Sequence, residues 1–376
     1  MGEVWKVRDR YLNRFVAMKI VQSNVQKSSD GLNRFIEEAR VNAQLQHPNI
    51  VPVHDIGILD DGRYYFTMKE IQGQELCDVI ADFHRNDEKS PTLYELMTIF
   101  HSVVDTIAFA HSHGVLHRDL KPSNILIGKF GEVLVLDWGI AKLINTIESK
   151  EIGILSTQKI QTLYGSVTGT PLYMSPEQAL GGVKLDERSD IYSLGAILYE
   201  IMSGRPAYEG KSSLDILNKV LSGPPHSIRH ITRINTPIEQ NDSNPEIFEA
   251  SKNSHILPKL PEELLIACEK AMQRNPDNRF SSVRELGDIV SDWLEGAKNR
   301  DKALQIVNSA RKLKSEKERL QEQSQQILVK AQTHLDKIPS WEGEDLKAEC
   351  WSQMYQSMQL LENTEILDIQ QEQLLM

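Results

Sequence analysis

Cysteine, positive charge and long apolar runs are all scarce in this sequence of 376 residues. Its three cysteines, Cys77, Cys268 and Cys350, lie far apart and form no CxxC pair, so neither a disulfide framework nor a zinc site is predicted. The net charge of −11 disfavours nucleic acid and anionic membranes as partners. Because no apolar run approaches the roughly 18 residues that span a bilayer, and no signal peptide is recognisable, we expect a cytoplasmic protein with no membrane segment in this chain.

The composition is that of a globular protein, with 40% hydrophobic and 25% charged residues. A chain of this length exceeds a usual single domain. We therefore expect either one core domain or two lobes, followed in both cases by an appendage.

The most informative stretch is HRDLKPSN at residues 117–124, which is followed by a DWG triplet that begins at Asp137. Magnesium-assisted phosphoryl transfer needs a base that orients the hydroxyl nucleophile, a cation near the moving phosphate, and oxygen ligands for the metal. Asp119 would be the base, and Lys121 would touch the moving phosphate. Asn124 and Asp137 would hold Mg2+, which prefers oxygen ligands.

Four motifs occur in the order and spacing of the protein kinase signature. On these motifs the chain resembles the bacterial Hanks-type serine/threonine kinases, which are eukaryotic-like protein kinases. The resemblance implies ATP and Mg2+ as cofactors and proteins as substrates. The motifs are AMK at 17–19, HRDLKPSN at 117–124, DWG at 137–139 and SPE at 175–177.

The resemblance also implies an α+β, two-lobed kinase fold with a small β-rich N-lobe and a helical C-lobe. The residue pattern agrees, because strands extend to about residue 71 around one helix near 31–45, and helices dominate after about residue 92. We predict a kinase domain over 1–295 and a helical or coiled-coil region over 296–376.

Lys19 lies in an apolar run that is rich in strand formers. By resemblance it binds the α and β phosphates of ATP and pairs with a glutamate of the following helix. Glu37 and Glu38 are both available, and adjacent residues face about 100° apart on a helix. We favour Glu38, because family members place this glutamate directly before the alanine, here Ala39.

The resemblance further assigns several residues to the nucleotide. Met68 would be the gatekeeper, and the backbone of the hinge, including Lys69 and Ile71, would pair with adenine. Taken singly, each aliphatic residue of this set is more commonly an ordinary core residue. Three side chains would sandwich the adenine ring: Val4, Ala17 and Leu126.

The start of the sequence departs from the kinase pattern. A kinase domain opens with a strand and a GxGxxGxV loop whose N–H groups cover the phosphates, whereas here only Gly2 and Val4 match the end of that motif. We expect an unpaired sheet edge beside Val4. A start codon assigned too late, a truncated gene and a pseudokinase are the alternatives, and the intact catalytic residues favour the first.

Residues 137–177 are rich in Ser, Thr, Gln and Gly and have little periodicity, which is typical of an activation loop. An arginine precedes the predicted base, as in kinases whose activation loop is ordered by phosphorylation. Thr162, Ser166 and Thr168 are candidate phosphate acceptors, with an ordinary polar loop as the alternative. Thr170 lies in the sequence Gly-Thr-Pro. It resembles the kinase threonine that lies beside the bound protein substrate, near the catalytic aspartate.

The resemblance predicts structural roles for three more residues. Asp190 begins a nearly all-apolar helix and would hold the backbone of the catalytic loop. Glu177 and Arg279 would form a buried ion pair. Trp138 replaces the usual phenylalanine of its triplet, and its indole N–H needs a partner if the ring is buried.

Residues 224–260 form a Pro-, Asn- and Ser-rich insertion that is longer than most loops. We expect this insertion to be mobile or to bind a partner.

Two helical patterns follow residue 296. The first repeats every seven residues and predicts a long amphipathic helix: Ile306, Leu313, Leu320 and Ile327. A second stripe on this helix consists of Ala303, Ala310, Ala331 and Ile338, and Lys317 and Ser324 interrupt it.

Pro339 would end the first helix. A second helical pattern follows it: Leu346, Trp351, Met354, Met358 and Leu361. We favour an antiparallel hairpin over a coiled coil between chains, and we expect self-association or partner binding through 296–376.

Together these patterns predict an ATP-dependent serine/threonine protein kinase of the non-specific class, with autophosphorylation within 137–177. Lys121, which tyrosine kinases typically lack, and the GTPLYMSPE run favour serine and threonine as acceptors. The alternative is a pseudokinase or signalling scaffold that lacks ATP binding and acts through its helical C-terminal region.

Overall fold

The computed structural model describes residues 2–26, 29–85, 87, 89–138, 142–143, 171–181, 185–229, 260–339 and 343–375. The chain divides into two compact units, Met1–Leu294 and Glu295–Met376.

A four-stranded antiparallel sheet forms the small lobe of the first unit. Its strands contain many β-branched and aromatic residues, which suit a half-buried pleated surface. The spatial order is β1-β2-β4-β3, so within the described residues β1 is an edge strand. The elements of this lobe are β1 (Gly2–Asp9), β2 (Arg14–Val21), α1 (Ser23–Gln26), α2 (Ser29–Gln44), β3 (Val53–Ile58) and β4 (Tyr64–Lys69).

Helix α2 packs one face against this sheet. Phe35 and Ala39, which are four residues apart and therefore neighbours on the helix surface, are buried in a small cluster with Val21 and Phe66. The rings of Phe35 and Phe66 lie 5.1 Å apart. This packing fixes which side of α2 turns toward β2.

Short strands follow in the remainder of the first unit. A three-stranded sheet has the order β5-β7-β8, and β6 pairs with β9. A 3-10 turn, Pro122–Asn124, directly precedes β7. The strands are β5 (Gly73–Glu75), β6 (Val115–Leu116), β7 (Ile125–Gly128), β8 (Val133–Val135) and β9 (Lys142–Leu143).

Helices surround one large hydrophobic core in this part of the unit. Helix α6 (Glu187–Ser203) is almost completely buried; Asp186 caps its start, and Gly204 ends it with a left-handed φ of 72°. The helices are α3 (Leu76–Arg85), α4 (Leu93–Ser112), α5 (Pro176–Leu180), α6 (Glu187–Ser203), α7 (Ser213–Ser222), α8 (Glu262–Ala271) and α9 (Val283–Leu335), and Pro276–Asn278 forms a 3-10 turn before α9. The small β-rich lobe and the helical lobe confirm the predicted α+β fold class.

Among the described residues, one helix, α4, is long and apolar enough to cross a membrane by length and composition alone. The helix lies in the core, however, and core burial accounts for its hydrophobicity. Its fully buried apolar side chains are Leu96, Met97, Phe100, Val103, Val104, Ile107 and Ala110.

The second unit contains the later part of α9 and helix α10 (Glu344–Leu375), which run antiparallel. Nζ of Lys317 lies 2.6 Å and 2.7 Å from the carboxylate oxygens of Asp368. Further along, the hydroxyl oxygens of Ser324 and Ser357 are 2.8 Å apart. Residues further along α9 thus contact residues nearer the start of α10, so the two helices are antiparallel. This is the helical hairpin that the sequence favoured. Pairing between chains as a coiled coil stays a prediction.

The large apolar residues of the α10 pattern do not form its buried face. Trp351, Met358 and Leu361 are 48%, 60% and 44% exposed, and the side chain of Leu346 lies outside the described residues. Lys317 and Ser324, which seemed from the sequence to interrupt a stripe, instead have polar partners on α10. The buried side chains of α10 are small ones at seven-residue intervals: Cys350, Ser357 and Thr364. Small side chains at a contact allow two helices to approach closely.

Candidate active site

Lys19 is the centre of the candidate active site. It lies on β2, is 8% exposed, and places its Nζ 2.5 Å from Oε1 of Glu38 and 3.1 Å from Oδ1 of Asp137. Glu38 is buried on α2, whereas the adjacent Glu37 is exposed and lies 3.6 Å from Arg40. The structure therefore brings Lys19 together with Glu38 and not with Glu37.

The ion pairs keep Lys19 charged. Burial alone would lower the pKa of Lys19, but the carboxylates of Glu38 and Asp137 outweigh burial and raise it. The Asp137 side chain is exposed at one side, and the partial loss of solvent there would raise its pKa, but the ammonium of Lys19 outweighs this and holds that pKa below its ordinary value. The site thus contains a fixed cationic donor beside an ionised carboxylate, which suits charge-assisted binding of phosphate oxygens.

Asp119, Lys121 and Asn124 meet in the loop that follows β6. Nζ of Lys121 donates to Oδ2 of Asp119 at 2.8 Å. Nδ2 of Asn124 donates to the Asp119 carbonyl oxygen at 2.8 Å and to its Oδ2 at 3.2 Å. The backbone N–H of Asn124 also donates to the Lys121 carbonyl oxygen in the 3-10 turn. These bonds fix the orientation of the Asp119 carboxylate.

Asp190, at the start of α6, holds the backbone of this loop as predicted by resemblance. The N–H groups of His117 and Arg118 donate to its two carboxylate oxygens at 2.9 Å and 2.8 Å. Arg118 has a φ of 67°, a left-handed conformation that is costly for a residue with a side chain. Burial opposes ionisation of Asp190, but the ring of His111, 2.8 Å away, outweighs it and lowers the pKa. The buried carboxylate stabilises the strained loop.

His117 and Trp138 link the catalytic loop to the segment that carries Asp137. The rings of His117 and Trp138 lie 4.7 Å apart, and both side chains are fully buried. Burial lowers the pKa of His117, so the ring is neutral, and its Nε2 lies 3.0 Å from the Leu136 carbonyl oxygen. The indole N–H of Trp138 donates to the Val135 carbonyl oxygen at 3.3 Å, which supplies the partner that the sequence analysis required.

Strand register places several predicted nucleotide residues on one face of the small-lobe sheet. Val4 is opposite Lys19, and Ala17 is opposite Met68. Directly opposed residues point to the same face, as do residues two apart in one strand. A Cβ on Gly2 would lie 2.8 Å from the Ile20 carbonyl oxygen and 3.1 Å from Cγ of Lys19. Glycine at this position therefore allows β1 to pass close to the stem of Lys19.

The other predicted nucleotide residues lie at strand ends or in the second sheet. Lys69 ends β4, and its N–H donates to the Pro52 carbonyl oxygen at 3.3 Å. Ile71 is half-buried two residues later, and Leu126 is half-buried on β7. Their contacts with adenine stay predictions.

Glu177 and Arg279 form the predicted ion pair. Nη1 and Nη2 of Arg279 donate to the two carboxylate oxygens of Glu177 at 2.7 Å and 2.8 Å, and the hydroxyl of Ser189 donates to the same carboxylate at 2.9 Å. Burial opposes ionisation of Glu177, but the hydrogen bonds from Arg279 outweigh it and lower the pKa. The paired arrangement connects α5 to the segment before α9.

Some predicted residues lie outside the described part of the chain. These are the four activation-loop positions and most of the insertion: Thr162, Ser166, Thr168, Thr170 and residues 230–259.

Asn124 and Asp137 present atoms that fit Mg2+. The amide nitrogen of Asn124 is occupied by Asp119, so its amide oxygen is the ligand atom on offer. Asp137 directs one carboxylate oxygen to Lys19, and its side chain is 59% exposed. Magnesium commonly takes one or two protein oxygens and completes its shell with water and nucleotide phosphates, so this donor set fits it.

Three contacts in and near the site were missed in the sequence analysis. His111, which the structure places against Asp190, is 79 residues from its partner in sequence. The amide nitrogen of Gln178 donates to the Arg118 carbonyl oxygen at 2.9 Å. Nζ of Lys6 on β1 lies 2.5 Å from Oε1 of Glu70 in the predicted hinge. Periodicity carries no signal for such long-range pairs.

Comparison with known proteins assigns the family. The family model described as the protein kinase domain matches residues 1–290. The chain therefore belongs to the protein kinase family, which agrees with the motif order and with the geometry around Lys19.

Among curated relatives, the chain is similar to several bacterial proteins named serine/threonine-protein kinase PknD. The relative from Protochlamydia amoebophila is 34% identical over 308 residues, which cover 79% of this chain and 29% of the relative. The relatives from Chlamydia trachomatis serovar D and Chlamydia pneumoniae are 33% and 34% identical over 312 residues, with 79% of this chain and 30% of each relative covered. These relatives confirm the resemblance to bacterial Hanks-type kinases, and the chain matches less than a third of their length.

Proposed function

We propose that this chain is an ATP-dependent serine/threonine protein kinase, which transfers the γ-phosphoryl group of ATP to hydroxyl groups of proteins. One observation carries the proposal: Nζ of Lys19 lies 2.5 Å from Glu38 and 3.1 Å from Asp137, whose carboxylate is a predicted metal ligand. A buried lysine that a glutamate orients beside a metal-binding aspartate is the arrangement on which kinase phosphoryl transfer depends.

Each residue has a separate task in the proposed reaction. Lys19 would hold the α and β phosphates, with Glu38 fixing the position of its ammonium group. Mg2+, when bound by Asn124 and Asp137, would neutralise charge on the phosphates. Electrostatic stabilisation and positioning of this kind supply most of the catalysis in phosphoryl transfer.

Asp119 would accept the proton of the substrate hydroxyl. Its carboxylate is held by Lys121 at 2.8 Å and by the amide of Asn124 at 3.2 Å, so it presents one orientation to the nucleophile. Lys121 would also offset the negative charge on the transferred phosphoryl group. These two roles support general-base assistance at a fixed site.

Serine and threonine are the proposed acceptors, on the strength of Lys121 in the DLKP sequence and of the names of the relatives. We also propose that the chain phosphorylates itself within residues 137–177. Proteins are the proposed substrates, and the cytoplasm is the proposed location.

Transfer of radiolabel from γ-labelled ATP tests the proposal. The full chain is incubated with Mg2+ and a general protein acceptor, and Asp119→Asn serves as control because it retains the size and hydrogen bonds of the side chain but not its basicity. Label should appear on serine and threonine in the acceptor and in residues 137–177. Label no greater than that of the Asp119→Asn control would contradict the kinase proposal and favour a signalling scaffold.

A further inference from the structure

The side chain of Gln178, on α5, joins that helix to the catalytic loop. Its Oε1 accepts the backbone N–H of Ser175 at 3.0 Å and the Ser175 hydroxyl at 3.1 Å, and the hydroxyl oxygen accepts the Gln178 N–H at 3.3 Å. These bonds form a capping box, in which Gln or Glu can fill the second position. At the other end of the amide, Nε2 of Gln178 donates to the Arg118 carbonyl oxygen at 2.9 Å.

The two ends of this link require an amide. The Ser175 N–H can only donate and the Arg118 carbonyl can only accept, so the group between them must supply one acceptor and one donor. The carboxylate of a glutamate accepts only. It would complete the capping box, but it would set a negative oxygen against the Arg118 carbonyl oxygen. The contact with Arg118, and not the capping box, therefore explains glutamine at position 178.

The carbonyl that Gln178 binds belongs to the peptide between Arg118 and Asp119. The N–H of the same peptide donates to Nδ1 of His117 at 3.3 Å. The His117 ring is neutral and its Nε2 donates to the Leu136 carbonyl oxygen at 3.0 Å, which leaves Nδ1 as an acceptor. Because a peptide is planar, bonds to its carbonyl and to its N–H together fix its orientation. That orientation sets the direction in which the Asp119 carboxylate leaves the backbone.

This peptide follows a strained residue. Arg118 has a φ of 67°, in the left-handed region that side chains disfavour. Such a conformation persists only where the surrounding structure fixes it from more than one side. Asp190 accepts the Arg118 N–H at 2.8 Å, and Gln178 binds the Arg118 carbonyl. Without the bond from Gln178, the peptide could turn toward a commoner conformation and take Asp119 with it.

The segment that carries Gln178 is held firmly on α6. The hydroxyl of Tyr173 donates to Oε2 of Glu200 at 2.5 Å, and the hydroxyl of Ser193 donates to the Tyr173 carbonyl oxygen at 2.8 Å. Both partners of Tyr173 lie on the buried helix α6. Gln178 therefore reaches the catalytic loop from a fixed position.

We propose that Gln178 is a positioning residue for phosphoryl transfer, whose amide holds the peptide between Arg118 and Asp119 so that the Asp119 carboxylate faces the acceptor hydroxyl. This role rests on the kinase activity proposed above. Gln178 acts on the backbone of the proposed base, whereas Lys19 is the residue proposed to hold the phosphates of ATP. Its loss should therefore slow transfer and leave the use of ATP unchanged.

Steady-state phosphorylation of a protein acceptor by the full chain tests this role. Gln178→Glu keeps the size of the side chain and the capping box but removes the donor to Arg118. It should lower kcat at least about tenfold and change KM for ATP by less than about twofold.

The matched control is Ser175→Ala, which weakens the capping box but leaves the Gln178 amide bonded to the backbone N–H of residue 175 and to Arg118. It should lower the urea midpoint of unfolding, as loss of a cap does, and should change kcat by less than about twofold.

Hydrogen exchange of the same three proteins gives a readout that does not depend on kinase activity. The amides of residues 117–120 should exchange at least about tenfold faster in Gln178→Glu than in the wild type, because the loop opens more often when it loses a bond. Those amides should exchange at the wild-type rate in Ser175→Ala.

Three results would overturn the proposal. The first is an active wild type whose kcat differs less than about twofold from that of Gln178→Glu. The second is an equal loss of kcat in Gln178→Glu and Ser175→Ala, which would limit Gln178 to capping α5. The third is unchanged exchange of residues 117–120 in Gln178→Glu, whatever the activity. A wild type that transfers no phosphate would contradict the proposed function instead, and the exchange rates would still decide whether Gln178 holds the loop.

Discussion

Lys19 and Glu38 are 19 residues apart in the sequence, and their side chains are 2.5 Å apart in the structure. The sequence allowed Glu37 and Glu38 as partners, and the packing of α2 selects between them. Phe35 and Ala39 bury one face of the helix against β2 and β4, and Glu38 shares that buried face. Helix packing therefore determines which carboxylate reaches the lysine.

Substitution of these two glutamates tests the role of the pair. Glu38→Gln removes the charge that positions Lys19 and should lower kcat/KM for protein phosphorylation by about 100-fold, the cost of a misplaced catalytic group. Glu37→Gln, a matched change on the exposed side, should lower it less than about twofold. Radiolabel transfer rates measure both effects. Equal losses in the two variants would contradict the assignment of Glu38.

Glu177 is expected to contribute to the stability of the fold through its ion pair with Arg279. Removing one partner of a buried ion pair costs about 3–5 kcal/mol, so Glu177→Gln should lower the free energy of unfolding by that amount. Urea titration at neutral pH measures it. A loss below about 1 kcal/mol, as for a surface ion pair, would contradict the buried pairing with Arg279.

The same carboxylate predicts a pH dependence. The pKa of Glu177 is lower in the folded protein than its ordinary value of 4.5, so the unfolded chain binds the proton more readily. The stabilisation from Glu177 is complete above pH 4.5 and is lost as pH falls through the lower, folded pKa. Unfolding free energy should therefore fall less steeply below pH 4.5 in Glu177→Gln than in the wild type. Parallel profiles for the two proteins would contradict this linkage.

At the scale of elements, sequence reasoning succeeded where a motif fixes the local geometry. The HRDLKPSN stretch forms the predicted loop because Pro122–Asn124 makes a 3-10 turn that returns Asn124 to Asp119. The apolar pattern of α10 predicted a helix but not its contact face, and Trp351 and Met358 of that pattern are 48% and 60% exposed. Close approach of two helices depends instead on small side chains, and a hydropathy pattern does not reveal it.

Overpacking the contact between α9 and α10 tests the contact face of α10. Ser357→Leu inserts a larger side chain where Ser324 is in hydrogen-bond contact and should destabilise the helix pair by about 1–3 kcal/mol. Ser352→Leu makes the same change at an exposed position of α10 and should alter stability by less than about 0.5 kcal/mol. Hydrogen exchange of the α10 amides in the full chain measures both. Greater exchange in Ser352→Leu would contradict the assigned contact face.

At the scale of the whole molecule, the motifs place the catalytic residues in order, but the contacts that hold them together come from distant segments. Asp190 binds the backbone of Arg118 and His117, which lie 72 and 73 residues earlier in the sequence. His111, which contacts Asp190, lies 79 residues before it. The resemblance predicted the contact of Asp190, whereas nothing in the local pattern predicted that of His111. The fold class was predictable because the motifs carry a resemblance to a known family and the local periodicity agrees with it, whereas long-range polar partners leave no local pattern.

The central claim is that ATP and Mg2+ bind together between Lys19 and the oxygen ligands of Asn124 and Asp137. Titration calorimetry of the full chain with ATP, in the presence and absence of Mg2+, tests it most directly. We predict binding that requires Mg2+, that weakens at least about tenfold in Lys19→Met, and that persists in Asp119→Asn, because the role proposed for Asp119 is with the acceptor hydroxyl and not with ATP. The absence of Mg2+-dependent ATP binding by the wild-type chain, or equal affinity in Lys19→Met, would contradict the account.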